Sequence, residues 1–380
     1  MDPTELATAI KPLNHATSMP AGFYTDPAVF AAEREHILLN RWIFLARDDQ
    51  LPAHGDYRCF DTVGGSVILL RDGAVLRAFA NVCRHRGSQL LDGSGRIDRV
   101  VCPYHAWSYR ASGDLLGCPD MGAAEDFDRR ASGLIPVRLA SWEGFIFVTF
   151  ADDAPDLIDS LGDMPERFAS HKLGAMRCTW TVTLEPRCNW KLILENAMET
   201  YHTGVVHRGS VGSQQSRTID TRGEWKCIQV TSGRSIATLP GTLPSFPPID
   251  GLDEDARQGT YFTVLHPACQ FAVAQDCMWW LNVTPLAHDH SRLEIGGCFP
   301  EEIIAAPDFS DKAQPYYERW ELVGREDVGI LERQQRALGS VLYRPGRLSW
   351  RDDQVQALSR WVLDHLPAAV VDGRAREWKD

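Results

Sequence analysis

Residues 81–107, NVCRHRGSQLLDGSGRIDRVVCPYHAW, contain two short segments that each offer one thiol and one imidazole. The first pair is Cys83 and His85, and the second pair is Cys102 and His105. Thiolates and imidazoles bind soft and borderline metal ions, so four of them paired across a spacer indicate a metal centre. The sequence therefore predicts a metal site built from two neighbouring loops.

Two kinds of centre use such ligands: a structural zinc, and a 2Fe–2S cluster in which two His replace two Cys on one iron. Zinc modules usually place two to four residues between the first two ligands, whereas only Arg84 separates Cys83 from His85. C-x-H followed by C-x-x-H, with Gly87 after the first pair and Pro103 inside the second, resembles the Rieske signature. We therefore expect these four side chains to bind a Rieske 2Fe–2S cluster, with zinc as the alternative.

Length and composition restrict the class of protein. At 380 residues the chain is too long for a simple electron carrier and suits two domains. A net charge of −12 without a long run of Lys or Arg argues against nucleic acid as a partner. The N-terminus lacks the apolar region of a signal peptide, and no segment reaches the ~18 apolar residues of a membrane helix. We expect a cytoplasmic protein that makes no membrane contact.

The first part of the chain predicts one helix and then a small all-β domain. Apolar spacing indicates a helix over 26–40, with Asp26 as its N-cap. Two strands in residues 66–82 meet at Asp72-Gly73, a hairpin signal, and a second turn is expected at 112–114. The stretch WEGFIFVTF (142–150) predicts a closing buried strand.

An acidic, turn-rich stretch near residue 155 predicts a domain boundary. We therefore divide the chain into an N-terminal segment (1–40), a Rieske domain (41–153) and a catalytic domain (154–380). In the last of these, strand alternation changes to helical spacing near Asn189, and strand-like runs follow from about residue 224. The predicted fold class is α+β: an all-β domain plus a curved antiparallel sheet around a cavity, covered by helices.

A second candidate metal site lies in the pattern E-x-x-H-x-x-x-x-H, formed by Glu199, His202 and His207. Residues three apart share a helical face, so Glu199 and His202 can act at one point. Five residues at ~100° each carry His207 away from that face, so we expect the helix to unwind near Gly204. Taken alone the pattern is weak, because histidines on a part-apolar helix commonly belong to the core.

Residues 189–207, NWKLILENAMETYHTGVVH, lie downstream of a Rieske signature and resemble the mononuclear iron helix of the Rieske non-haem iron oxygenases. That family contains the ring-hydroxylating oxygenase α-subunits and related N- and O-demethylases, and the resemblance covers nearly the whole chain. It implies a helix-grip catalytic domain in which His202 and His207 bind Fe(II). It also implies a carboxylate ligand from a late helix, where residues 323–340 offer Asp327, favoured over Glu326 and Glu332. A solvated helix face explains the last two.

The resemblance also implies how electrons reach the iron. Glu199 occupies the position of a carboxylate that joins the two centres by holding His202 and, across a subunit contact, His105 of the partner subunit. This arrangement implies a homotrimer. Asn196 and Tyr201 are expected to line the electron path or the iron pocket, with plain packing as the alternative.

Trp279 and Trp280 are adjacent in a predicted strand, so one side chain points inward and the other points away. The inward ring is a candidate to hold a methylammonium cation by cation–π attraction or to stack on an aromatic substrate. Core packing alone is the favoured explanation.

The resemblance implies a terminal oxygenase component that uses O2 to hydroxylate or demethylate a small quaternary ammonium, N-methyl or aromatic compound. No G-x-G-x-x-G follows a strand and no C-x4-C-x2-C run is present, so a separate reductase or ferredoxin must supply the electrons. Three alternatives remain: a ring cis-dihydroxylating dioxygenase, a Rieske electron-transfer protein without oxygenase chemistry, and a zinc-stabilised binding module.

Overall fold

The computed structural model describes residues 2–371. The chain divides into two compact units: a small unit, Trp42–Ala154, and a large unit made of the described parts of Met1–Arg41 and Pro155–Asp380. None of the described helices combines the length and the apolarity needed to cross a lipid bilayer.

The N-terminal segment of the large unit is helical: α1 Pro3–Ala9, a 3-10 turn Leu13–His15, α2 Gly22–Thr25 and α3 Pro27–Glu33. The Asp26 side chain accepts a 2.9 Å hydrogen bond from Ala28 N, which confirms the predicted N-cap. The helix does not stay regular to residue 40, because a π-helical turn follows at Arg34–Leu38.

The small unit is built from ten strands: β1 Ile43–Arg47, β2 Asp56–Thr62, β3 Gly65–Asp72, β4 Val75–Ala80, β5 Ser94–Arg96, β6 Val100–Val101, β7 Ser108–Tyr109, β8 Leu115–Gly117, β9 Arg138–Trp142 and β10 Phe145–Thr149. They form three antiparallel sheets, ordered β1-β10-β9, β4-β3-β2-β5 and β6-β7-β8. 3-10 turns at Asp48–Gln50 and Met121–Ala123 are its only described helical pieces. The predicted all-β domain is confirmed.

Local turn chemistry explains the connections in this unit. β3 and β4 pair Asp72 with Val75, so the hairpin loop is 73–74, one residue later than predicted, and Gly73 supplies the positive φ of +61°. The predicted turn at 112–114 joins β7 to β8. The predicted strand over 142–150 is wrong at its start: β9 ends at Trp142, and a turn separates it from β10.

The large unit continues with short helices and one large sheet. Its strands are β11 Met176–Leu184, β12 Ser216–Ile219, β13 Trp225–Thr231, β14 Gly259–Leu265, β15 Cys269–Val273, β16 Met278–Ala287 and β17 His290–Pro300. All neighbours are antiparallel in the order β11-β17-β16-β15-β14-β13-β12. An antiparallel sheet accompanied by helices confirms the predicted α+β class.

The remaining helices of this unit are α4 Leu157–Leu161, α5 Met164–Arg167, α6 Trp190–Ala197, α7 Thr203–Val206, α8 Glu301–Ile304, α9 Phe309–Leu338, α10 Asp353–Asp364 and α11 Ala368–Val371, with 3-10 turns at Ala169–His171, Leu173–Ala175 and Ala256–Gln258. The 30-residue α9 is the longest. It approaches the sheet so closely that a Cβ on Gly297 of β17 would lie 1.9 Å from the Trp320 ring. This contact fixes α9 against β17.

Buried polar contacts tie the N-terminal segment to α6. Asn189 caps α6 through Lys191 N and donates to the Tyr24 carbonyl at 3.0 Å. The Lys191 ammonium lies 2.5 Å from the buried Glu33 carboxylate, and the Tyr24 hydroxyl donates to Glu195 at 2.8 Å. These contacts anchor α6, which leads directly into the second candidate site, to the N-terminal segment. The strand-to-helix change predicted near Asn189 is confirmed.

Candidate metal centres and substrate cavity

In the small unit, the two Cys-His pairs lie on two turns of the same design. Gly87 N donates to the Cys83 carbonyl at 3.0 Å, with Gly87 at a φ of +75°. Ala106 N donates to the Cys102 carbonyl at 3.1 Å, with Ala106 at a φ of +58°. Each turn therefore presents its Cys and its His on one side of a short loop.

The four side chains of these turns converge. The His85 and His105 ring centroids are 4.7 Å apart, and each Nδ1 is buried without a hydrogen-bond partner. The His85 ring stacks on the buried Trp107 ring at 5.0 Å, and the Tyr109 hydroxyl lies 3.4 Å from Cys83 Sγ. Buried imidazole nitrogens without a partner suit metal coordination through Nδ1.

The donor geometry favours a two-iron cluster over zinc. Burial raises the pKa of the Cys102 thiol, but hydrogen bonds from the Tyr104 backbone and from Cys83 outweigh burial and lower that pKa, which favours the thiolate. Tetrahedral zinc would bring its ligands within about 4 Å of one another. Within residues 2–371, no three of the four side chains bring their ligand atoms within 4.8 Å of one another. A wider spacing fits a cluster in which one iron takes the two Cys and the other iron takes the two His.

In the large unit, His202, His207 and Asp327 converge on one point. Their ligand atoms all lie within 4.8 Å of one another, a grouping that no other described His, Cys, Asp or Glu residues form. The two Nε2 atoms are 3.3 Å apart, and Asp327 Oδ1 lies 3.1 Å from His207 Nε2 and 3.6 Å from His202 Nε2. Donors about 2.1 Å from one ion at right angles are about 3 Å apart, so this donor set fits a facial triad for Fe(II).

A carboxylate holds the outer nitrogen of each of these two imidazoles. Glu199 Oε1 lies 2.5 Å from His202 Nδ1, and Glu326 Oε2 lies 2.7 Å from His207 Nδ1. Such contacts fix the Nδ1–H tautomer, so that both Nε2 lone pairs face the shared point. Burial lowers the pKa of His207, but Asp327 and Glu326 more than offset burial and raise that pKa.

The sequence prediction for Glu326 was wrong. It was assigned to a solvated helix face, but its carboxylate accepts hydrogen bonds from His207 and, at 2.6 Å, from the Ser210 hydroxyl. Glu332 behaves differently, because it accepts a 3.1 Å hydrogen bond from Arg187 N and contacts no imidazole of the described residues. The sequence signal for Glu326 was its position next to the proposed ligand Asp327. That signal becomes informative only when the segment that carries His207 is known to pack against α9.

The predicted unwinding at Gly204 was also wrong. α6 ends at Ala197, and Gly204 lies inside the separate helix α7. The break falls between them, where Glu199 Oε2 accepts hydrogen bonds from Tyr201 N and, at 3.1 Å, from His202 N. Glu199 therefore holds the turn that precedes α7 with one oxygen and the His202 ring with the other. This double contact brings His202 and His207 to the same side.

A cavity with about 910 Å³ of empty volume, its open mouth included, adjoins the triad. Its walls are largely apolar and come from α6, the sheet and α9, including Ile193, Val230, Phe262, Leu281, Ile295 and Val323. Asn196 lines this cavity, whereas Tyr201 does not and is 60% exposed. The expectation that Tyr201 lines the iron pocket is therefore wrong, and its part in an electron path stays a prediction.

The two adjacent tryptophans take opposite directions, as the strand geometry predicts. Trp279 lines the cavity, and the buried Trp280 packs over Gly296 on the other face of the sheet. The Arg319 guanidinium lies 4.9 Å from the centroid of the Trp279 ring. One cation therefore already interacts with the ring that was a candidate to hold a methylammonium group.

A Cys/His cluster site in one unit and a two-His-one-carboxylate site in the other define a Rieske-type non-haem iron protein. Residues 41–136 match the family described as Rieske [2Fe-2S] domain, and residues 174–368 match the ring hydroxylating alpha subunit, catalytic domain. The chain belongs to this ring-hydroxylating α-subunit family, whose cofactors are a Rieske cluster and a mononuclear iron. This assignment confirms the predicted family and cofactors.

Two named relatives share the sequence of part of the chain. The glycine betaine monooxygenase oxygenase subunit of Chromohalobacter salexigens is 38% identical over 50% of this chain and 43% of its own length. The carnitine monooxygenase oxygenase subunit of Acinetobacter pittii is 35% identical over 53% of this chain and 55% of its own length. The matched region thus spans about half the length of these curated relatives.

A solved structure shares the fold over nearly the full chain. The quaternary ammonium Rieske monooxygenase CntA in complex with L-carnitine superposes with a TM-score of 0.78 and 25% identity. The alignment covers 97% of this chain and 99% of that one. The likeness therefore includes both units.

Proposed function

We propose that this chain is the terminal oxygenase component of a multicomponent system that hydroxylates or oxidatively demethylates a small quaternary ammonium or N-methyl compound. The observation that carries this proposal is the convergence of His202, His207 and Asp327 beside an apolar cavity. The substrate class is supported by the relatives that are named for glycine betaine and carnitine. A separate reductase or ferredoxin delivers the electrons.

Each residue of the site has a physical task in this proposal. His202, His207 and Asp327 hold Fe(II), which supplies the activation of dioxygen when it is bound. Glu199 and Glu326 keep the two imidazoles in one tautomer and one orientation. The apolar walls exclude water and place a substrate C–H bond close to the metal, so that oxidation is directed at the substrate.

The overall reaction balances with dioxygen, an external reductant and protons. One oxygen atom enters a C–H bond to give an alcohol, and two electrons with two protons convert the other oxygen atom to water. An alcohol formed on an N-methyl carbon loses formaldehyde and leaves the demethylated amine, and a proton is released as well when the starting nitrogen is quaternary. The cavity, through the carbon that it presents, decides between simple hydroxylation and demethylation.

The electron path in this proposal passes between subunits of a cytoplasmic homotrimer. Glu199, which already contacts His202, would meet the partner subunit's His105 and connect the cluster to the iron. Light scattering on the purified protein is expected to give three times the 42.5 kDa of one chain. A monomer at working concentrations would contradict this arrangement.

The function is tested by turnover with a ferredoxin–reductase pair, NADH and O2. Glycine betaine, carnitine, choline and aromatic acids are supplied in turn, and the products are analysed by mass spectrometry together with formaldehyde. The proposal expects a hydroxylated quaternary ammonium compound or a demethylated tertiary amine, and Asp327→Asn is expected to form neither. A cis-diol formed from an aromatic compound would instead identify the enzyme as a ring dihydroxylating dioxygenase. Reversible cluster reduction without O2-dependent product from any candidate would indicate an electron-transfer protein.

A further inference from the structure

The cavity beside the triad contains a buried cation that the chain itself does not neutralise. The Arg319 side chain lines this cavity and is 3% exposed. It makes no hydrogen bond and no ion pair within 4 Å to any residue of 2–371, and its Nε is buried without an acceptor. Burial lowers the pKa of Arg319 to about 10, which still leaves the guanidinium charged at neutral pH.

An unpaired buried charge is costly, so it needs a reason to be kept. Breaking a buried ion pair typically costs several kcal/mol, because one charge is left without compensation. Here the described chain offers Arg319 the Trp279 ring at 4.9 Å and the more distant charges of Asp327 and Glu326. A ring contact satisfies none of the five guanidinium N–H groups. The guanidinium therefore has N–H groups available to an acceptor in the cavity.

Two further polar groups of the same cavity also lack partners. Gln270 is 2% exposed, and neither its Nε2 nor its Oε1 makes a hydrogen bond. The Trp320 Nε1 is buried without an acceptor as well. Gln270 of β15 pairs with Leu281 of β16, and Ala272 of β15 pairs with Trp279 of β16. Residues two apart on a strand share a face, so Gln270 and Trp279 lie on the same face of the sheet. Arg319, Trp320 and Gln270 thus give this largely apolar cavity three side chains with unused hydrogen-bond donors.

The position of Arg319 along α9 sets the distance from the metal. Arg319 and Asp327 are eight residues apart on one helix, which separates their Cα atoms by about 12 Å at 1.5 Å per residue. A small molecule spans that distance when its anionic group contacts the guanidinium and its other end reaches the triad. A planar guanidinium matches a carboxylate with two parallel hydrogen bonds.

We infer that Arg319 anchors a carboxylate of the substrate, so that the enzyme selects zwitterionic over purely cationic quaternary ammonium compounds. This inference rests on the proposed function and adds to it the second charged group of the substrate. Gln270 and Trp320 supply the hydrogen bonds that the guanidinium leaves unmade. Arg319 is then a specificity residue, separate from the residues that hold the metal.

The test compares two ligands that differ at one end. Glycine betaine and choline share a trimethylammonium group, but the first ends in a carboxylate and the second in a hydroxyl. Binding is measured by calorimetry on the iron-loaded protein without reductant or O2, so that no turnover occurs. We expect the wild-type protein to bind glycine betaine more tightly than choline. Arg319→Gln should raise the dissociation constant for glycine betaine by about 10- to 100-fold and that for choline by less than about threefold.

Arg319→Lys is the conservative variant, and it is expected to retain part of the preference because it keeps the charge without the planar fork. Arg319→Met is expected to keep or raise the melting temperature, because it removes a buried charge without an ion-pair partner. Equal losses for both ligands would overturn the inference. So would an unchanged preference accompanied by a lower melting temperature, because Arg319 would then be structural.

A third ligand separates this inference from the proposed function. Butyrate has a carboxylate but no ammonium group. If butyrate binds in an Arg319-dependent manner while no quaternary ammonium compound binds, the carboxylate anchor stands and the proposed substrate class fails. If glycine betaine and choline are both oxidised and Arg319→Gln changes neither, the proposed function stands and the anchor fails.

Discussion

Replacing Glu326 with Ala is expected to weaken the mononuclear iron site without touching a ligand atom. The carboxylate lies 2.7 Å from His207 Nδ1 and 2.6 Å from Ser210 Oγ, so both bonds are short and charge-assisted. A hydrogen bond to a charged group is worth about 1.5–3 kcal/mol, and loss of such a supporting partner typically costs 10- to 100-fold in metal affinity.

The exposure of Glu326 places the effect at the lower end of that range. Its side chain is 25% exposed, so water replaces part of the lost interaction. We expect about a tenfold rise in the dissociation constant for Fe(II), which corresponds to about 1.4 kcal/mol. Glu326→Gln retains an acceptor for His207 Nδ1–H and is expected to fall between the wild-type protein and the Ala variant.

The assay removes the mononuclear iron with a chelator and titrates Fe(II) back without oxygen against a competing ligand. The Rieske absorption of the same sample reports that the small unit is intact. Glu332→Ala is the matched control, because Glu332 lies on the same helix and, among residues 2–371, bonds only to the Arg187 backbone. An affinity of Glu326→Ala within about twofold of the wild-type protein, or an equal loss in the Glu332 variant, would refute the assigned role.

Three further predictions follow from single contacts. Glu199→Gln should retain iron and cluster colour but lose coupled turnover, and full activity would contradict the bridging role. Burial raises the pKa of the Glu195 carboxyl group from 4.5 to about 7. The contribution of Glu195 to the free energy of unfolding is therefore full below pH 4.5 and is lost as the pH rises through 7. Glu195→Gln should therefore remove about 3 kcal/mol from the change in unfolding free energy over this pH range, as measured by thermal unfolding. The same pH dependence in the wild-type and variant proteins would disprove the prediction. Gly297→Ala should lower the free energy of unfolding by about 1–3 kcal/mol or more, because the new Cβ would clash with the Trp320 ring. Gly329→Ala should not destabilise the protein, because its Cβ would meet no atom within 4 Å.

Local chemistry made much of the fold predictable. The caps at Asp26 and Asn189 and the glycine of the β3–β4 hairpin act within a few residues, so the sequence alone indicates them. The Cys/His spacing and the pattern around His202 also lie within short stretches of sequence, so they identified the family without the structure. Small errors remained at element ends, because pairing between strands sets them: Trp142 was placed in the wrong strand.

The parts that escaped prediction depend on contacts between distant segments. Glu326 supports His207 across 119 positions of sequence, and on its own helix it resembles any exposed acid. The helix break upstream of His202 depends on the Glu199 carboxylate, which helical periodicity does not report. Arg319 follows an ordinary helical pattern in the sequence, and only its burial beside Trp279 shows an unsatisfied charge.

The central claim is that one chain carries two separate iron sites, and Asp327→Ala tests it most directly. The wild-type protein is expected to hold about three iron atoms per chain, two in the cluster and one at the triad. The variant should hold about two, with the Rieske absorption and electron paramagnetic resonance signals unchanged. A variant that keeps the third iron, or loses the cluster signals with it, would contradict the account.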